Sequence, residues 1–314
     1  MKTAVVILNW NTEAHLRRFL PGVLKACPDV IVADNGSTDG SREYLAGLDV
    51  PTILLDRNYG FTGGYNRALE GLDAEYYVLL NSDVETPEGW LEPLERWMDA
   101  HPECAACGPK LHKIDERDEF EYAGAAGGFV DRYGFPFCRG RVLSKTEKDR
   151  GQYDGAPAEV LWVSGACLMV RSSVWRELGG LDDRFFAHME EIDFCWRAAR
   201  AGFSVVCVPD STVYHLGGGT LPQGSPFKLR LNYRNNLLML RANLPSRRVF
   251  CVRYCMDILA ACAYLLMLRP RDAKAVFKAH AEYRALKGPR PPKGTKIPAG
   301  YRKNEFLLLK KICG

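Results

Sequence analysis

The fold is decided by the segment Tyr76-Tyr77-Val78-Leu79-Leu80-Asn81-Ser82-Asp83-Val84. A short apolar run between polar residues is typical of a strand buried on both faces, as in a parallel sheet covered by helices. In open α/β sheets, ligands bind beyond the carboxyl ends of the strands, so Asp83 would lie where a ligand phosphate and its divalent cation meet. Asn, Ser and Asp are also ordinary turn formers, and this segment alone is compatible with a simple turn.

Strands and helices alternate around this segment. Strands are predicted at residues 4–8, 30–33 and 52–55. Helices are predicted at 13–27 and at 68–72, the latter after a Gly-rich loop at 57–67, and a short helix that ends at residue 45 follows the polar turn at 34–41. Further along, the pattern predicts an amphipathic helix at 90–100 and strands at 160–163 and 202–209. Such alternation indicates a doubly wound, mostly parallel sheet.

The polar turns that follow the strands are expected to share one edge of this sheet and to form one cleft. There, Asp34 and Asp39 could accept hydrogen bonds from a nucleobase or ribose, and Gly63 and Gly64 would let backbone N–H groups approach an anion. Considered alone, each turn is better explained by ordinary turn chemistry.

Taken together, the motifs at residues 5–11, 32–40, 58–66 and 79–83 resemble those of the family 2 nucleotide-sugar glycosyltransferases, in the family's order and spacing. The resemblance implies a GT-A fold, which is an α/β, Rossmann-like, mostly parallel sheet flanked by helices. It implies that Asp34 contacts the nucleobase and that Asp83 holds Mg²⁺ or Mn²⁺ against the donor diphosphate. The donor-binding positions that it implies are Asn9, Asn11, Asp34, Asn35, Asp39, Asn58, Gly63, Gly64, Asn66, Asn81 and Ser82.

The metal motif departs from the family pattern at one position. Asn81 stands where the family commonly has the first acid of an Asp-x-Asp motif. A neutral amide is a weaker ligand for a divalent cation than a carboxylate. Metal binding is therefore expected to depend on Asp83 and on ligands from elsewhere in the chain.

A second acidic centre opens a helix with Glu190, Glu191 and Asp193. Acids in a first helical turn are stabilised by the helix dipole, which is a sufficient structural reason for their presence. Three neighbouring carboxylates nevertheless repel one another, and a carboxylate in a partly dry cleft can take a proton from an acceptor hydroxyl. The segment resembles the Glu-Asp-x-Asp motif of inverting family members, which implies Glu191 as the general base, with Glu190 or Asp193 as the alternatives.

Two further residues receive a role from the resemblance. A lone histidine is usually structural, but His215 precedes a Gly-rich stretch at 217–219 and resembles the family histidine that completes the coordination of the metal. Arg234 lies in a looser match, Arg234-Asn235-Asn236, where it could reach the diphosphate or serve a structural pairing equally well.

The periodic pattern breaks down at residues 112–159, which are rich in Gly, charge and aromatic residues. Long loops on a rigid scaffold are usually functional, and aromatic side chains can stack on sugar rings, so this region is assigned to the acceptor side. A covering subdomain with its own small core is an equally good interpretation.

Charge divides the chain into an acidic body and a basic extension. Residues 1–225 contain 22 Lys and Arg against 34 Asp and Glu, whereas residues 226–314 contain 20 against 4. We expect a GT-A catalytic domain at 1–225, with a nucleotide-sugar half at 1–110 and an acceptor and catalytic-base half at 111–225. The C-terminal helical, basic extension at 226–314 is expected to associate with an anionic membrane surface.

An apolar segment at 249–268 lies within this extension. Arg253 and Asp257 interrupt it at a spacing that lets them pair on a helix, and its uncharged part, 258–268, is too short to cross a bilayer. A helix lying against the catalytic domain or in the lipid interface is therefore expected rather than a span. The stretch 287–296 is expected to be a basic, poorly ordered linker.

Composition favours a reduced compartment. The 11 cysteines are odd in number, and Cys167, Cys195, Cys207 and Cys262 lie in apolar runs, where Cys behaves as a small hydrophobic residue. The apolar run after Met1 is too short for a signal peptide and is expected to be the first strand. We expect a cytoplasmic protein, peripheral at the inner face of the cell membrane.

The leading hypothesis is a metal-dependent, inverting glycosyltransferase that moves a sugar to a glycan or lipid-linked acceptor hydroxyl in surface polysaccharide synthesis. Similarity to bacterial rhamnosyltransferase-like members makes dTDP-rhamnose the first donor candidate, ahead of a UDP-sugar. A nucleotidyltransferase would normally have a Gly-rich loop with Lys or Arg after strand 1, which Asn9-Trp10-Asn11 lacks. A nucleic-acid-binding protein would leave the acidic cluster without a role, so no nucleic acid is expected. An inactive sugar-binding relative is the remaining alternative.

Overall fold

The structure is a computed structural model that describes residues 1–122, 124–142, 145–217 and 224–302. Its helices, in chain order, are α1 Glu13–Ala26, α2 Ser41–Ala46, α3 Gly60–Leu69, α4 Glu92–Ala100, α5 Ser172–Leu178, α6 Glu190–Ala201, α7 Pro226–Asn243, α8 Arg247–Leu266 and α9 Pro270–Leu286. Its strands are β1 Thr3–Asn9, β2 Val30–Asp34, β3 Thr52–Leu54, β4 Tyr76–Asn81, β5 Val84–Glu85, β6 Cys104–Lys113, β7 Gly128–Asp131, β8 Pro136–Cys138, β9 Arg141–Val142, β10 Lys145–Thr146, β11 Ala158–Glu159, β12 Cys167–Arg171, β13 Ser204–His215 and β14 Tyr301–Arg302.

The main sheet has the strand order β11-β13-β6-β12-β4-β1-β2-β3, and β5 pairs with β13. The pairs β1–β2, β1–β4, β2–β3 and β6–β13 are parallel, whereas β12 runs antiparallel to both β4 and β6. The expected mostly parallel α/β sheet is thus confirmed.

Alternation of side chains along β1 explains why helices cover both faces of the sheet. Ala4 and Val6 belong to one core cluster, which includes Tyr65 of α3. Val5 and Ile7 belong to the other, which includes Leu16 of α1. Because successive residues of a strand point to opposite faces, a continuous apolar run can serve two cores at once.

Register brings the polar ends of the strands together. Asn9 at the end of β1 pairs with Asp34 at the end of β2, and Leu8 pairs with Asn81 at the end of β4. The turns after these strands therefore lie at one edge of the sheet, as the sequence analysis predicted.

The Gly-rich segment is a helix and not the expected loop, so the prediction of a loop over 57–67 is wrong from Gly60 onward. The first turn of α3 is held by a distant group, since Phe61 N donates to Phe186 O at 2.7 Å. A Cβ on Gly64 would lie 2.8 Å from Leu8 Cδ1, so this glycine lets α3 pack closely on β1. Local sequence could not reveal this because the capping group lies more than 100 residues away.

Three other boundaries differ from expectation. Residues 160–163 form no named strand, and the strand in this region is β12; β13 continues to His215 instead of ending at 209. Part of 112–159 forms a second sheet, in the order β10-β9-β8-β7-β14. Its strand β14 comes from the C-terminal extension and pairs in parallel with β7. The irregular region is thus partly a small sheet, which hydrophobic periodicity over such short strands could not predict.

The extension is helical from α7 to α9, and Arg253 and Asp257 of α8 pair as expected, at 2.8 Å. By length and composition alone α8 could cross a membrane, and 17% of its apolar stretch is buried. Cys167, Cys195 and Cys207 are buried as expected, but Cys262 is exposed.

Leu79 offers a test of the core. It is fully buried in β4, whereas Leu54 in the edge strand β3 is 60% exposed. We expect Leu79→Ala to lower the free energy of unfolding by about 2–5 kcal/mol, because truncation leaves a cavity. The matched Leu54→Ala variant should change it by less than about 0.5 kcal/mol in urea denaturation. Equal effects would contradict the assignment of β4 to the centre of the sheet.

Candidate active site

A chain of hydrogen bonds crosses the carboxyl edge of the sheet. Asn9 Nδ2 donates to Asp34 Oδ2 at 3.0 Å, and Asn9 Oδ1 accepts from Thr12 Oγ1 at 2.6 Å. Thr12 Oγ1 in turn lies 3.0 Å from Ser82 Oγ. The turns after β1, β2 and β4 are therefore one connected unit.

Asp34 is completely buried within this unit. Its carboxylate accepts hydrogen bonds from Ser37 N at 3.0 Å and from Arg42 Nε at 2.7 Å, in addition to that from Asn9. Burial acts to raise the pKa of Asp34, but these donors more than offset it and hold the pKa below its usual value. A nucleobase that bonds Asp34 would have to replace one of these donors or add a further hydrogen bond to the carboxylate. A direct contact between Asp34 and the base therefore stays a prediction.

The other polar turn residues make specific bonds within the protein. Asn11 Oδ1 accepts from Thr38 N at 2.7 Å, and Asp39 Oδ2 accepts from Glu13 N at 3.0 Å at the start of α1. Asn35 Oδ1 accepts from Tyr59 N at 3.0 Å, and Asn58 Oδ1 accepts from Gly60 N at 2.7 Å. Such bonds shape the rim of the cleft, and donor contacts by these residues stay predictions.

Asn66, Gly63 and Gly64 lie on α3. Asn66 Oδ1 accepts from Leu181 N at 3.0 Å, and its amide donates to Leu181 O at 2.8 Å. Asn66 therefore ties α3 to the loop that precedes the acidic helix α6. The two glycines stand inside the helix and not in an open anion-binding loop.

Asp83 and His215 are brought together by the pairing of β5 with β13, in which Val84 lies opposite His215. Asp83 Oδ1 is 3.2 Å from His215 Nε2, and Glu121 Oε1 is 3.6 Å from His215 Nδ1. All three side chains are buried. The predicted metal ligands are thus neighbours at the sheet edge, although 132 positions separate them in the sequence.

The charges of this group depend on one another. Burial acts to lower the pKa of His215, but Asp83 and Glu121 raise it to about 10. Burial acts to raise the pKa of the Asp83 carboxyl, but the His215 imidazole holds it below its usual value. The two acidic side chains therefore stabilise a positive charge placed between them, here that of protonated His215.

Such a donor set fits a divalent cation. Carboxylate oxygen and imidazole nitrogen are ordinary ligands for Mn²⁺, and a bound metal would take the place of the proton on His215. The described residues contain no group of three or more His, Cys, Asp or Glu side chains suited to hold a metal by themselves. Mg²⁺ and Mn²⁺ sites of nucleotide enzymes commonly take their remaining ligands from substrate phosphates and water.

The acidic helix α6 follows a strained stretch of backbone. Phe186, His188 and Met189 all have positive φ, between 66° and 71°, a conformation that costs energy in residues other than glycine. The strain is held by α7, since Asn235 Nδ2 donates to Ala187 O and to His188 O, both at 2.7 Å. This arrangement places Glu190 and Glu191 at the start of α6.

Glu190 and Glu191 are desolvated acids. Within the part of the chain that the structure describes, one carboxylate oxygen of each is buried without a hydrogen-bond partner. Burial raises the pKa of Glu191 to about 7. Burial and repulsion by Glu191 raise the pKa of Glu190 well above its usual value. Burial and the neighbouring charge thus favour the protonated form of Glu190, while Glu191, with a pKa of about 7, can exchange a proton near neutral pH.

Glu191 lies beside the turn that carries Asp83. A Cβ on Gly165 would lie 3.5 Å from Glu191 Cβ, and the next residue, Ala166, accepts a hydrogen bond from Asn81 N at 2.9 Å. The adjacent residues Gly165 and Ala166 thus contact Glu191 and Asn81, respectively, and link the acidic helix to the segment that carries Asp83.

Asp193 and Arg234 have structural partners. Asp193 Oδ2 accepts from Arg197 Nε, and Asp193 Oδ1 accepts from Asn243 Nδ2, both at 2.7 Å. Arg234 donates to Phe185 O at 2.6 Å and lies 3.5 Å from Glu282. These contacts favour the structural pairing of Arg234 and leave Glu191 as the stronger candidate for the base.

Sequence reasoning missed Glu121, Thr12 and Asn235. Glu121 lies in the aperiodic region, and nothing local distinguishes it from its charged neighbours. The Arg234-Asn235-Asn236 match pointed to the correct segment, but the arginine was chosen over the asparagine. Residues 218–220, part of the expected Gly-rich closing loop, lie outside the described residues.

The mostly parallel sheet with acids at its carboxyl edge, the Asp83–His215 pair and the buried acid pair agree with the arrangement that the sequence resemblance implied. The family model of glycosyl transferase family 2 matches residues 4–174, just over half of the chain, and that of glycosyl transferase family group 2 matches residues 138–269. The chain belongs to glycosyl transferase family 2. It is a glycosyltransferase that uses nucleotide sugars.

Curated relatives agree with this placement. The chain is 30% identical to an N-acetylglucosaminyl-diphospho-decaprenol L-rhamnosyltransferase of Mycobacterium tuberculosis, over 67% of this chain and 75% of that protein. It is 22% identical to the low-salt glycan biosynthesis hexosyltransferase Agl10 of Haloferax volcanii, over 91% of this chain and 90% of that one.

Solved structures share the fold. GalNAc-T7 with UDP, GalNAc and Mn²⁺ matches with a TM-score of 0.60 at 15% identity, over 93% of this chain and 59% of that one. S. aureus TarS 1–349 in complex with UDP-GlcNAc matches with a TM-score of 0.53 at 15% identity, over 96% of this chain and 100% of that one. The expected GT-A fold is confirmed.

The raised pKa of Glu191 predicts a pH-dependent stability. Between the unfolded pKa of about 4.3 and the folded value of about 7, the folded state holds a proton that the unfolded state has lost. Stability is therefore lost as pH rises through this window. Wild type should therefore have a lower free energy of unfolding at pH 8 than at pH 4. Glu191→Gln, which cannot ionise, should lack this loss, so that the difference in free energy of unfolding between the variant and wild type is about 1–3 kcal/mol more favourable to the variant at pH 8 than at pH 4. Urea denaturation at both pH values measures this difference.

The exposed Glu177→Gln on α5 is the matched control and should show no such gain. A parallel response of the two variants would contradict the desolvation of Glu191.

Proposed function

We propose that this glycosyltransferase moves a sugar, with L-rhamnose as the first candidate, from a nucleoside-diphosphate donor to a hydroxyl of a lipid-linked glycan. The reaction is metal-dependent, uses Mg²⁺ or Mn²⁺, and inverts the anomeric configuration. One set of contacts carries the proposal: Asp83 pairs with His215, Asn81 two residues before Asp83 bonds Ala166, and Gly165 next to Ala166 packs against Glu191. A cation site and a base linked through neighbouring backbone suit transfer from a diphosphate.

The donor is proposed to lie along the hydrogen-bonded edge from Asp34 to Ser82. When bound, a divalent cation would take up the negative charge that develops on the leaving diphosphate. Asp83 and His215 would hold it from the protein side. Asn81, as a neutral amide, leaves Asp83 as the acid of this motif.

The chain's own chemical step is assigned to Glu191. Its carboxylate takes the proton of the acceptor hydroxyl as the hydroxyl oxygen bonds to the anomeric carbon, and the bond from that carbon to the diphosphate oxygen breaks on the opposite face. A pKa of about 7 suits this role, because the group is then substantially ionised at neutral pH and still basic. The raised pKa of Glu190 favours its protonated form, which limits charge repulsion with the Glu191 carboxylate.

The donor and acceptor are chosen from the relatives. The Mycobacterium tuberculosis protein is named for L-rhamnose transfer to N-acetylglucosaminyl-diphospho-decaprenol. The first donor candidate is therefore dTDP-rhamnose, with UDP-sugars second, and the acceptor is a lipid-linked diphosphate sugar used in cell-envelope glycan synthesis. The proposed location is the cytoplasmic face of the cell membrane, with the basic extension against anionic lipid. The two-part division at residue 225 also stays a proposal.

Metal dependence is tested by thermal shift. We expect Mn²⁺ to increase the rise in Tm that dTDP-rhamnose or a UDP-sugar gives wild type, because a ligand stabilises the state that it binds. Asp83→Ala should lose the Mn²⁺-dependent part of this rise. Asp99→Ala, which removes an acid that pairs instead with Lys2, should keep it. An unchanged Mn²⁺ effect in Asp83→Ala would exclude Asp83 as a ligand.

The base is tested by separating binding from transfer. We expect Glu191→Gln to bind donor like wild type and to reduce transfer by about 10²-fold or more, since general base catalysis contributes about 10²–10⁴-fold. Wild-type transfer should rise with pH up to about 7 and then level. Radiolabelled sugar transfer measures both, with Glu177→Gln as the active control. If Glu191→Gln transfers sugar at the wild-type rate, Glu191 is not the general base.

A further inference from the structure

The helix α8 turns its polar side inward. Its buried residues are Arg253, Asp257 and Ala261. Arg253 Nε donates to Asp257 Oδ1 at 2.8 Å, and Asp257 Oδ2 lies 3.3 Å from His280 Nε2 of α9. These contacts fix the rotation of α8 about its own axis, because rotating the helix would break the contact between Asp257 and His280 of α9.

The opposite side of α8 is apolar and exposed. Leu259 is 68% exposed and Leu266 is 86% exposed, and the chain continues past them into Leu268, which is 89% exposed. Residues spaced by three or four positions share a helix face. The exposed residues on this face are Cys251, Cys255, Leu259, Cys262 and Leu266. An exposed apolar patch of this kind marks an interaction surface.

The charges around this face select its partner. The exposed basic residues at the two ends of α8 and along α9 are Arg247, Arg248, Arg269, Arg271, Lys274 and Lys278. Among the acids in the described part of the extension, Asp257 and Asp272 are buried and Glu282 is half-buried. Two copies of such a surface would repel each other, whereas an anionic lipid surface attracts cations by about 1 kcal/mol each.

A basic hollow adjoins the apolar end of α8. A cavity of about 420 Å³ is lined by Phe227, Arg230, Arg271, Lys274 and Lys278, among others. Leu268 and Arg271 together line a second hollow beside it. Cationic side chains next to exposed leucines suit a lipid phosphate with its acyl chains. The Phe227 ring lies 6.5 Å from that of Phe186, in the strained segment before α6. Phe227, which lines the hollow, therefore also contacts the segment that precedes Glu190 and Glu191.

We propose that α8 is an in-plane membrane anchor, with its Cys251–Leu266 face in the acyl boundary of an anionic bilayer and the basic hollow on lipid phosphates. The helix does not cross the bilayer, because crossing would separate Arg253 and Asp257 from His280 and place them in hydrocarbon. The proposal rests on the lipid-linked acceptor of the proposed function for its biological purpose. Vesicle binding tests it without donor or acceptor, and so independently of transfer.

Binding is measured by flotation of the full chain with vesicles. We expect wild type to bind phosphatidylglycerol–phosphatidylethanolamine vesicles and to bind pure phosphatidylcholine vesicles much less. Leu259→Asp with Leu266→Asp should reduce binding by about tenfold or more, because two exposed leucines no longer enter the acyl region. Leu54→Asp is the matched control, since Leu54 is 60% exposed on the edge strand β3 and should leave binding unchanged.

A second variant tests the basic hollow separately. Arg271→Glu with Lys274→Glu should abolish the preference for phosphatidylglycerol, and its thermal melt reports whether the fold is intact. The proposal is overturned if wild type does not bind either vesicle, or if the double aspartate variant binds like wild type. It is also overturned if wild type is a dimer that the double aspartate variant converts to a monomer, since a second copy would then cover the face.

Orientation is measured with the exposed cysteines themselves. Cys251, Cys255 and Cys262 are labelled one at a time with a nitrobenzoxadiazole maleimide, the other two and Cys313 being changed to serine. Lipids with quenchers at defined depths should then place all three labels at one shallow depth. A spanning helix would separate the labels at 251 and 262 by about 16 Å along the membrane normal. Such a separation would overturn the in-plane orientation.

Discussion

Desolvation of Glu190 and Glu191 at the start of α6 is the constraint on which the site depends. Within the described residues neither acid is neutralised by a basic partner, so burial raises the pKa of both. His215, in contrast, holds the pKa of Asp83 below its usual value. The carboxyl groups of this region thus have pKa values shifted in opposite directions, because Asp83 is buried beside His215 whereas Glu190 and Glu191 are buried without a basic partner among the described residues.

The backbone before α6 shows what holding these acids requires. Three residues with positive φ precede Glu190, and the amide of Asn235 bonds the carbonyl oxygens that this strained path presents. Phe186 O also accepts from the first turn of α3. The segment is therefore held between α3 and α7. Because Asn235 of α7 bonds the backbone just before Glu190, a movement of α7 would change the position of Glu191.

Much of the fold was accessible to sequence reasoning. The apolar runs of β1, β2 and β4 and the polar residues at their ends predicted the sheet, its mostly parallel order and the convergence of Asn9, Asp34 and Asp83 on one edge. These features are local, since hydrophobic periodicity and turn residues report the strand in which they stand. Prediction failed at α3, where Gly60 begins a helix capped by Phe186, and in the second sheet, whose strands are two to four residues long.

The sequence by itself therefore determined the class of fold, the family and the positions at which acids follow strands. Only the tertiary structure decided which acids have raised or lowered pKa values, that Glu121 joins Asp83 and His215, and that Asn235 bonds the backbone before α6 at Ala187 and His188. It also decided that α8 turns Arg253 and Asp257 inward and its leucines outward. The physical reason is that secondary structure follows from neighbours along the chain. Ionisation, capping and burial depend on groups that lie far apart in sequence and meet only in the folded protein.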